Sequence, residues 1–458
     1  MAEHRLSLAV NGREKLLHKQ LITYRAAERP AASQENGRRV AAGSVAIVGL
    51  GYVGLPTAVA LHGAARRIIG IDRNEQRLRD ILAQDADLGG PDRERLAAVL
   101  AEGSLELTTD PAAAKAADSV IICVPTPVDS QQSPDLSALR AACATVVRHA
   151  RPGQVIILTS TSYVGTTRDL LTEPLAARGL VAGADVHVAF SPERIDPGNP
   201  DHVQRETPRV VGGATPACTS RAAELIGRLT DAVYLVSSAE AAEATKLYEN
   251  IFRAVSLALA NEFADACGAL SLDPIEVTLA ASTKPYGFLG AFPGPGVGGH
   301  CIPCDPHYLL WQLSAADQRA PLIEQAMKSI ALRPERVVQR AAEVLAADGR
   351  RLAGARVIVI GASYKAGVRD LRESPALAIM AGLLREGASV GYYDPLLPVI
   401  ELPGGQVLAS EAAPDGAEWE LAVAHTLHPR TDYSWAHRCP RVLDGTYQFF
   451  SATHRAVV

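Results

Sequence analysis

The densest concentration of chemistry-bearing residues is Phe292–Leu310, FPGPGVGGHCIPCDPHYLL, with four glycines, four prolines, two cysteines, two histidines and one aspartate. Neither helix nor strand suits that composition, so it reads as a loop. Glycine at this density means a backbone that comes close to something, either a ligand or another segment. Three readings of Cys301 stand. His300, Cys301, Cys304 and His307 resemble a compact metal-ligand set, although no second pair at zinc-knuckle spacing occurs elsewhere in the chain. Alternatively, Cys301 is a nucleophile on a rigid loop, with Asp305 nearby to handle protons. In the third reading the loop is a structural turn around a buried thiol. Upstream, Lys246, Asn250, Arg253 and Leu257 share one face if their segment is helical. Such a face is either solvated or the wall of a site between domains. Glu193 follows an apolar run, Val186–Phe190, within Ser191-Pro192-Glu193-Arg194. At a strand end it is a candidate base; otherwise it is a surface acid.

These residues need a scaffold, and its clearest element is near the start. Ser44–Val48 (SVAIV) reads as a buried parallel strand leading into Gly49-Leu50-Gly51-Tyr52-Val53-Gly54 and a small-residue helix. In such a GxGxxG turn the first glycine makes the bend, the second admits a pyrophosphate and the third lets helix and strand pack. The helix N-terminus then faces the phosphates. A second strand, Arg67–Ile71, ends in Asp72, 21 residues after Gly51, where an acid takes the ribose hydroxyls of NAD. Asp72 would repel a 2′-phosphate, which favours NAD over NADP; the neighbouring Arg73 tempers this. Further strands are expected at Asp118–Val124, closed by Pro125-Thr126-Pro127, and at Gln154–Leu158, closed by Thr159–Ser162. Val211-Gly212-Gly213 reads as a turn closing the first domain.

Ser237-Ser238-Ala239-Glu240 matches a capping box and opens a run free of Gly and Pro to Gly268. About thirty helical residues span ~45 Å, enough to join two domains. A second long helix, Pro321–Ala347, is expected to break or re-aim near Pro334. Strands at Ala355–Ile360, Ser389–Tyr393, Leu421–Ala424 and Arg441–Leu443 form another Rossmann-like half without GxGxxG. The fold class is α/β: two Rossmann-like domains joined by a long central helix and a helical linker domain. The expected divisions are an N-terminal extension (1–42) with a short helix at Glu14–Tyr24, an NAD-binding domain (43–236), a central helical domain (237–335) and a second Rossmann-like domain (336–458).

Composition narrows the class of function. The net charge of −5 argues against nucleic acid. No apolar run reaches the ~20 residues of a membrane helix, and no signal-peptide core opens the chain. Seven scattered cysteines suit a reducing cytoplasm better than a disulfide framework.

The motifs resemble those of the UDP-glucose/GDP-mannose dehydrogenase family, in order and over nearly the whole chain: GLGYVGLP (49–56), VPTP (124–127), STSYVGTT (160–167), SPER (191–194), KLYEN (246–250), GPGVGGHCIPCDPHYL (294–309) and YKAGVRDLRESPA (364–376). SPERIDPG, ASTKPYGF and the cysteine loop look most like the branch acting on UDP-N-acetylhexosamines, UDP-N-acetylglucosamine above all; UDP-glucose and UDP-N-acetylmannosamine are alternatives. The resemblance implies a four-electron oxidation of a sugar C6 alcohol to a carboxylate with NAD, through a thiohemiacetal and a thioester on Cys301. It implies catalytic roles for Cys301, Lys246, Asn250, Glu193, Asp305 and Thr161. It implies cofactor contacts from Gly49, Gly51, Tyr52, Val53, Gly54, Asp72, Arg73, Pro125, Thr126 and Thr161. Substrate contacts are implied for Glu193, Arg194, Lys246, Asn250, Arg253, Gly298, Lys365 and Arg372, with no metal and with a homodimer or higher oligomer. Relatives carry an arginine soon after the last strand-ending aspartate; here Asp444 is followed by Gly445 and Thr446. Two other classes compete: a single-step β-hydroxyacid-type dehydrogenase, which leaves Cys301 unexplained, and a non-enzymatic NAD- or UDP-sugar-binding protein.

Overall fold

The computed structural model describes residues 42–86, 88, 90–129, 131–195, 204–449 and 454–458. The helix expected at Glu14–Tyr24 lies outside them.

The first sheet is built from short apolar runs alternating with helices, the pattern that buries strands on both faces. In chain order these are β1 (Ala42–Val48), α1 (Gly54–Ala60), β2 (Ala65–Ile71), α2 (Glu75–Leu82), α3 (Gly90–Ala101), β3 (Leu105–Thr108), β4 (Ser119–Ile122), α4 (Ser137–His149), β5 (Val155–Leu158), α5 (Glu173–Ala177), β6 (His187–Phe190), β7 (Arg209–Gly213), α6 (Pro216–Ile226) and β8 (Val233–Leu235). The spatial order is β3-β2-β1-β4-β5-β6-β7-β8, a doubly wound Rossmann sheet with two extra strands. Alternation splits the strand residues between two cores. Ala46, Ile122, Leu158 and Phe190 pack on one side; Ile47, Ile121, Ile157 and Ala189 pack on the other.

Val211-Gly212-Gly213 is not a turn. It is the end of β7, which pairs antiparallel with β6. The glycines serve close packing instead. A Cβ on Gly212 would lie 1.9 Å from the Ser238 carbonyl oxygen, and one on Gly213 would lie 2.4 Å from the Thr219 amide.

The central layer holds α7 (Ala239–Ala269), α8 (Pro274–Ala281), α9 (Asp305–Ala315) and α10 (Pro321–Ala346). The N-cap of α7 is Ser238, whose hydroxyl accepts the Ala241 amide at 3.2 Å. That is one residue later than the capping-box spacing implied. α10 runs without interruption through Pro334, contrary to the expected break. The lost hydrogen bond and ring clash cost about 3 kcal/mol, and the buried face from Ala326 to Leu345 offsets that.

The last unit comprises β9 (Arg356–Ile360), α11 (Pro375–Arg385), β10 (Ser389–Tyr393), the β11 (Val399–Glu401) and β12 (Val407–Ala409) hairpin, β13 (Leu421–Ala424), β14 (Val442–Asp444) and β15 (Arg455–Val457). Its sheet is parallel, in the order β10-β9-β13-β14-β15.

Candidate active site

The glycine turn has the geometry its spacing implied. Gly49 sits at φ +89°, and a Cβ there would meet the Cys123 carbonyl oxygen at 2.6 Å. A Cβ on Gly54 would lie 1.8 Å from the Gly49 oxygen, whereas one on Gly51 would meet nothing within 4 Å. The open position is the one over which a pyrophosphate passes. Asp72 accepts the Leu50 amide at 2.8 Å on Oδ2 and the Asn74 amide at 2.9 Å on Oδ1. It therefore braces the turn while staying partly exposed. Arg73 is exposed, as is Pro125; Thr126, Tyr52, Val53 and Thr161 are half-buried. These groups lie at the carboxyl edge of the sheet, where dinucleotides bind in such folds.

On the other side of the cleft, α7 presents Lys246 and Asn250 from its buried face. The amide Nδ2 of Asn250 lies 2.5 Å from Oδ2 of Asp305, the first residue of α9. The Asp305 amide in turn donates to the Cys301 carbonyl at 2.8 Å. Burial and the Asp305 carboxylate push the Cys301 thiol up to about 11, opposed by the charges of Lys246, Arg372 and Arg253. Burial lifts Asp305 to about 6 against the pull of Lys246 and Asn250. Burial, with help from Arg372, lowers His300 to about 4. Arg253 is exposed on α7, but its charge still reaches the thiol.

The glycines before Cys301 face protein. A Cβ on Gly298 would meet Tyr364 Cβ at 2.7 Å and the Glu373 carbonyl at 2.8 Å; one on Gly299, which sits at φ +81°, would meet the Tyr364 ring at 2.8 Å. The Gly299 amide donates to the Arg372 carbonyl at 2.9 Å. Farther back, the Gly294 amide donates to Asn261 at 2.9 Å, and Arg333 donates to the Gly294 carbonyl at 3.0 Å. The loop is thus clamped between the central helices and the segment after β9. The guanidinium of Arg372 stacks on the Tyr52 ring with its carbon 3.9 Å from the centroid, joining this segment to the cofactor turn. Lys365 lies half-buried in the same segment.

Two expected site residues have partners elsewhere. Arg194 reaches Glu249 on α7 at 2.5 Å and the Pro208 carbonyl at 2.7 Å. The Glu193 carboxylate pairs with the buried Arg209. Among the described residues no group of three His, Cys, Asp or Glu side chains could hold a metal ion.

The STSYVGTT segment hides a brace that the motif does not announce. Glu243 on α7 is buried and accepts the Gly165 amide at 2.6 Å and both the amide and hydroxyl of Thr167, at 2.8 and 2.6 Å. Its only sequence signal is an acid one helical turn before Lys246. Arg455 of the last strand, β15, donates to the Asp444 carboxylate at 2.8 Å, and Thr446 Oγ1 donates to it at 2.7 Å.

Models of the UDP-glucose/GDP-mannose dehydrogenase family match in chain order: the NAD-binding domain over residues 43–230, the central domain over 240–329 and the UDP-binding domain over 358–448. The chain belongs to this family. It is an NAD-dependent nucleotide-sugar dehydrogenase, and its cofactor is NAD. It is 35% identical to an NDP-N-acetyl-D-galactosaminuronic acid dehydrogenase of Ralstonia nicotianae, over 81% of this chain and 88% of that protein. It is 33% identical to a UDP-N-acetyl-D-mannosamine dehydrogenase of Yersinia pestis, over 73% and 81%. Among solved structures, a UDP-D-ManNAc dehydrogenase from Pyrococcus horikoshii matches with a TM-score of 0.79 and 30% identity, covering 88% of this chain and 95% of that one. No helix among the described residues is long and apolar enough to cross a membrane.

Proposed function

We propose that this dehydrogenase oxidises the C6 hydroxyl of a UDP-N-acetylhexosamine to the carboxylate through a covalent intermediate on Cys301. The observation that carries this reading is the buried set behind the cysteine loop, in which Asn250 bonds to Asp305 and the charges of Asp305 and Lys246 act on the Cys301 thiol. The glycine turn and Asp72 would hold NAD, which would supply the hydride acceptor for both oxidations. The proton of the C6 hydroxyl passes to Lys246 or to a water held by Asp305 and Thr161. Cys301 adds to the aldehyde, which keeps it from leaving. Lys246 and the second hydrogen of the Asn250 amide face the oxyanion. After the second oxidation Glu193 takes a proton from the water that hydrolyses the thioester. Arg253 and Lys365 are the proposed nucleotide-sugar contacts. Gly298 and Arg194 are held by protein partners, and Arg372 reaches the cofactor turn, so they position the loop and the domains around the substrate.

The motifs favour UDP-N-acetylglucosamine; the names of the relatives favour N-acetylmannosamine or N-acetylgalactosamine as the hexosamine. NADH release at 340 nm from limiting amounts of each UDP-N-acetylhexosamine, UDP-glucose and GDP-mannose decides between them. Two NADH per sugar are expected from one UDP-N-acetylhexosamine. One NADH per molecule would favour single-step chemistry, and none from any sugar would overturn the enzymatic assignment at this site. The oligomer proposed is a homodimer through α7, whose outer face exposes Tyr248, Phe252, Leu259, Phe263 and Leu270 at intervals that place them on one stripe.

A further inference from the structure

Glu193 stands in a buried polar row that no motif singled out. β6 and β7 pair antiparallel with Ala189 opposite Gly213 and Phe190 opposite Gly212. The same register, continued, sets Glu193 opposite Arg209 on one face of the sheet. Arg209 is 2% exposed and Glu193 8%, with Nη1 and Oε2 2.5 Å apart. Oε1 accepts the amides of Arg194 and Ile195 at 2.8 and 3.1 Å. A carboxylate has about four acceptor sites. Among the described residues the fourth meets the Gln204 amide at 3.4 Å, longer than an ordinary hydrogen bond.

Neighbouring strand ends extend the row. Leu158 pairs with Phe190, which sets Thr159 opposite Ser191, and Ile122 pairs with Leu158, which sets Cys123 opposite Thr159. Alternation puts Ser191 on the same face as Glu193. Thr159 and Ser191 are buried, yet among the described residues Thr159 Oγ1, Ser191 Oγ and Arg209 Nε have no hydrogen-bond partner. The Cys123 thiol beside Thr159 is a weak partner at best. Two hydroxyls and an N–H beside a carboxylate with a loosely filled site form the donor and acceptor set that an internal water satisfies.

We propose that Arg209 is a positioning residue for thioester hydrolysis: it fixes Glu193 at the sheet edge and, with the Thr159 and Ser191 hydroxyls, completes a cradle for the water that Glu193 deprotonates. The water oxygen bonds to the acyl carbon, its proton goes to Glu193, and the C–S bond breaks to return the Cys301 thiolate. The inference rests on the function proposed above.

The test uses the nucleotide sugar that yields NADH with the wild type. Arg209→Lys should release a burst of two NADH per active site and then turn over at least 10-fold more slowly. Rapidly quenched protein should carry the acyl group on Cys301 by intact mass, and KM should fall with kcat as acyl-enzyme accumulates. Ser191→Ala combined with Thr159→Val should show the same signature more weakly. Because a misplaced buried charge endangers folding, thermal melts of Arg209→Lys are run alongside, and if it does not fold, Ser191→Ala with Thr159→Val, which keeps the ion pair, decides: wild-type turnover there overturns the proposal. A merely structural Arg209 would lower burst amplitude without acyl-enzyme. That result, or wild-type turnover in Arg209→Lys, overturns the proposal. A wild type that gives no NADH from any sugar overturns the functional reading instead, and this one with it.

Discussion

A thiol held at about 11 is a slow nucleophile at neutral pH, because the thiolate reacts and the thiol does not. In the ligand-free enzyme, alkylation of Cys301 by iodoacetamide should therefore rise about tenfold per pH unit from pH 7 towards 11, with Cys301→Ser as the blank. Lys246→Met removes one of the charges that oppose the rise and should slow labelling at pH 8 by roughly 3–10-fold. Asp305 has the opposite kind of signature. Its folded value of about 6 lies above the ~3.9 of a free aspartate. The folded chain thus binds this proton more tightly than the unfolded chain, a contribution to stability complete below about pH 4 and lost as pH rises through 6. Asp305→Asn should be more stable than the wild type at pH 8, by on the order of 1–3 kcal/mol, with the gap closing towards pH 4, and catalytically dead; paired thermal melts check it. Lys246, Asn250 and Cys301 were legible because one helical face and one glycine loop suffice to point at them. The Arg209 partner of Glu193 was not. It comes from an antiparallel strand whose glycines imitate a turn, and register cannot be read from one strand alone.

Among the elements, α7 is placed by more than its apolar stripe. Glu243 anchors it to Gly165 and Thr167. Glu243→Ala would leave two amides and a hydroxyl buried without acceptors, at a cost of about 2–4 kcal/mol, visible in the urea midpoint. Glu243→Gln should recover part of it. The extent of α7 was readable from a run without Gly or Pro, but its anchor was not, because 76 residues separate Glu243 from Thr167. The cysteine loop carries the second lesson at this scale. Its glycines announced a close approach, and the structure shows that the approach is to Tyr364, Glu373 and Pro375. Gly299→Ala should cost about 1–3 kcal/mol from its positive φ and the ring contact. Adding Tyr364→Ala should relieve the ring contact but not the backbone strain, and a double-mutant cycle separates the two. Pro334 misled because local propensity lost to the packing of a 26-residue helix.

At the scale of the molecule, the two sheets repeat one device. Gly49 and Gly361 sit at φ +89° and +85°, each too close to a carbonyl of the neighbouring strand end for a side chain. Each following turn donates an amide to a strand-ending acid: Leu50 to Asp72 and Ala362 to Asp394. In the second sheet, however, the acid is also filled by Ser363 and His428, and that pairing holds Asp394 down to about 2 despite its burial. The GxGxxG pattern marks the first sheet's turn and not the second's, because only the first glycine of the three recurs there. The dimer proposed through α7 is tested by Phe252→Asp with Leu259→Asp, which should halve the sedimenting mass. An unchanged mass would place the interface elsewhere. The clamped loop also bears on engineering. A chimera that exchanges the C-terminal unit for that of a relative replaces the surface against which Gly298 and Gly299 lie, and so re-sets the nucleophile without altering the loop. The workable seam lies before Phe292, with Phe292–Cys304 and the helices that follow inherited together with the Tyr364–Pro375 segment.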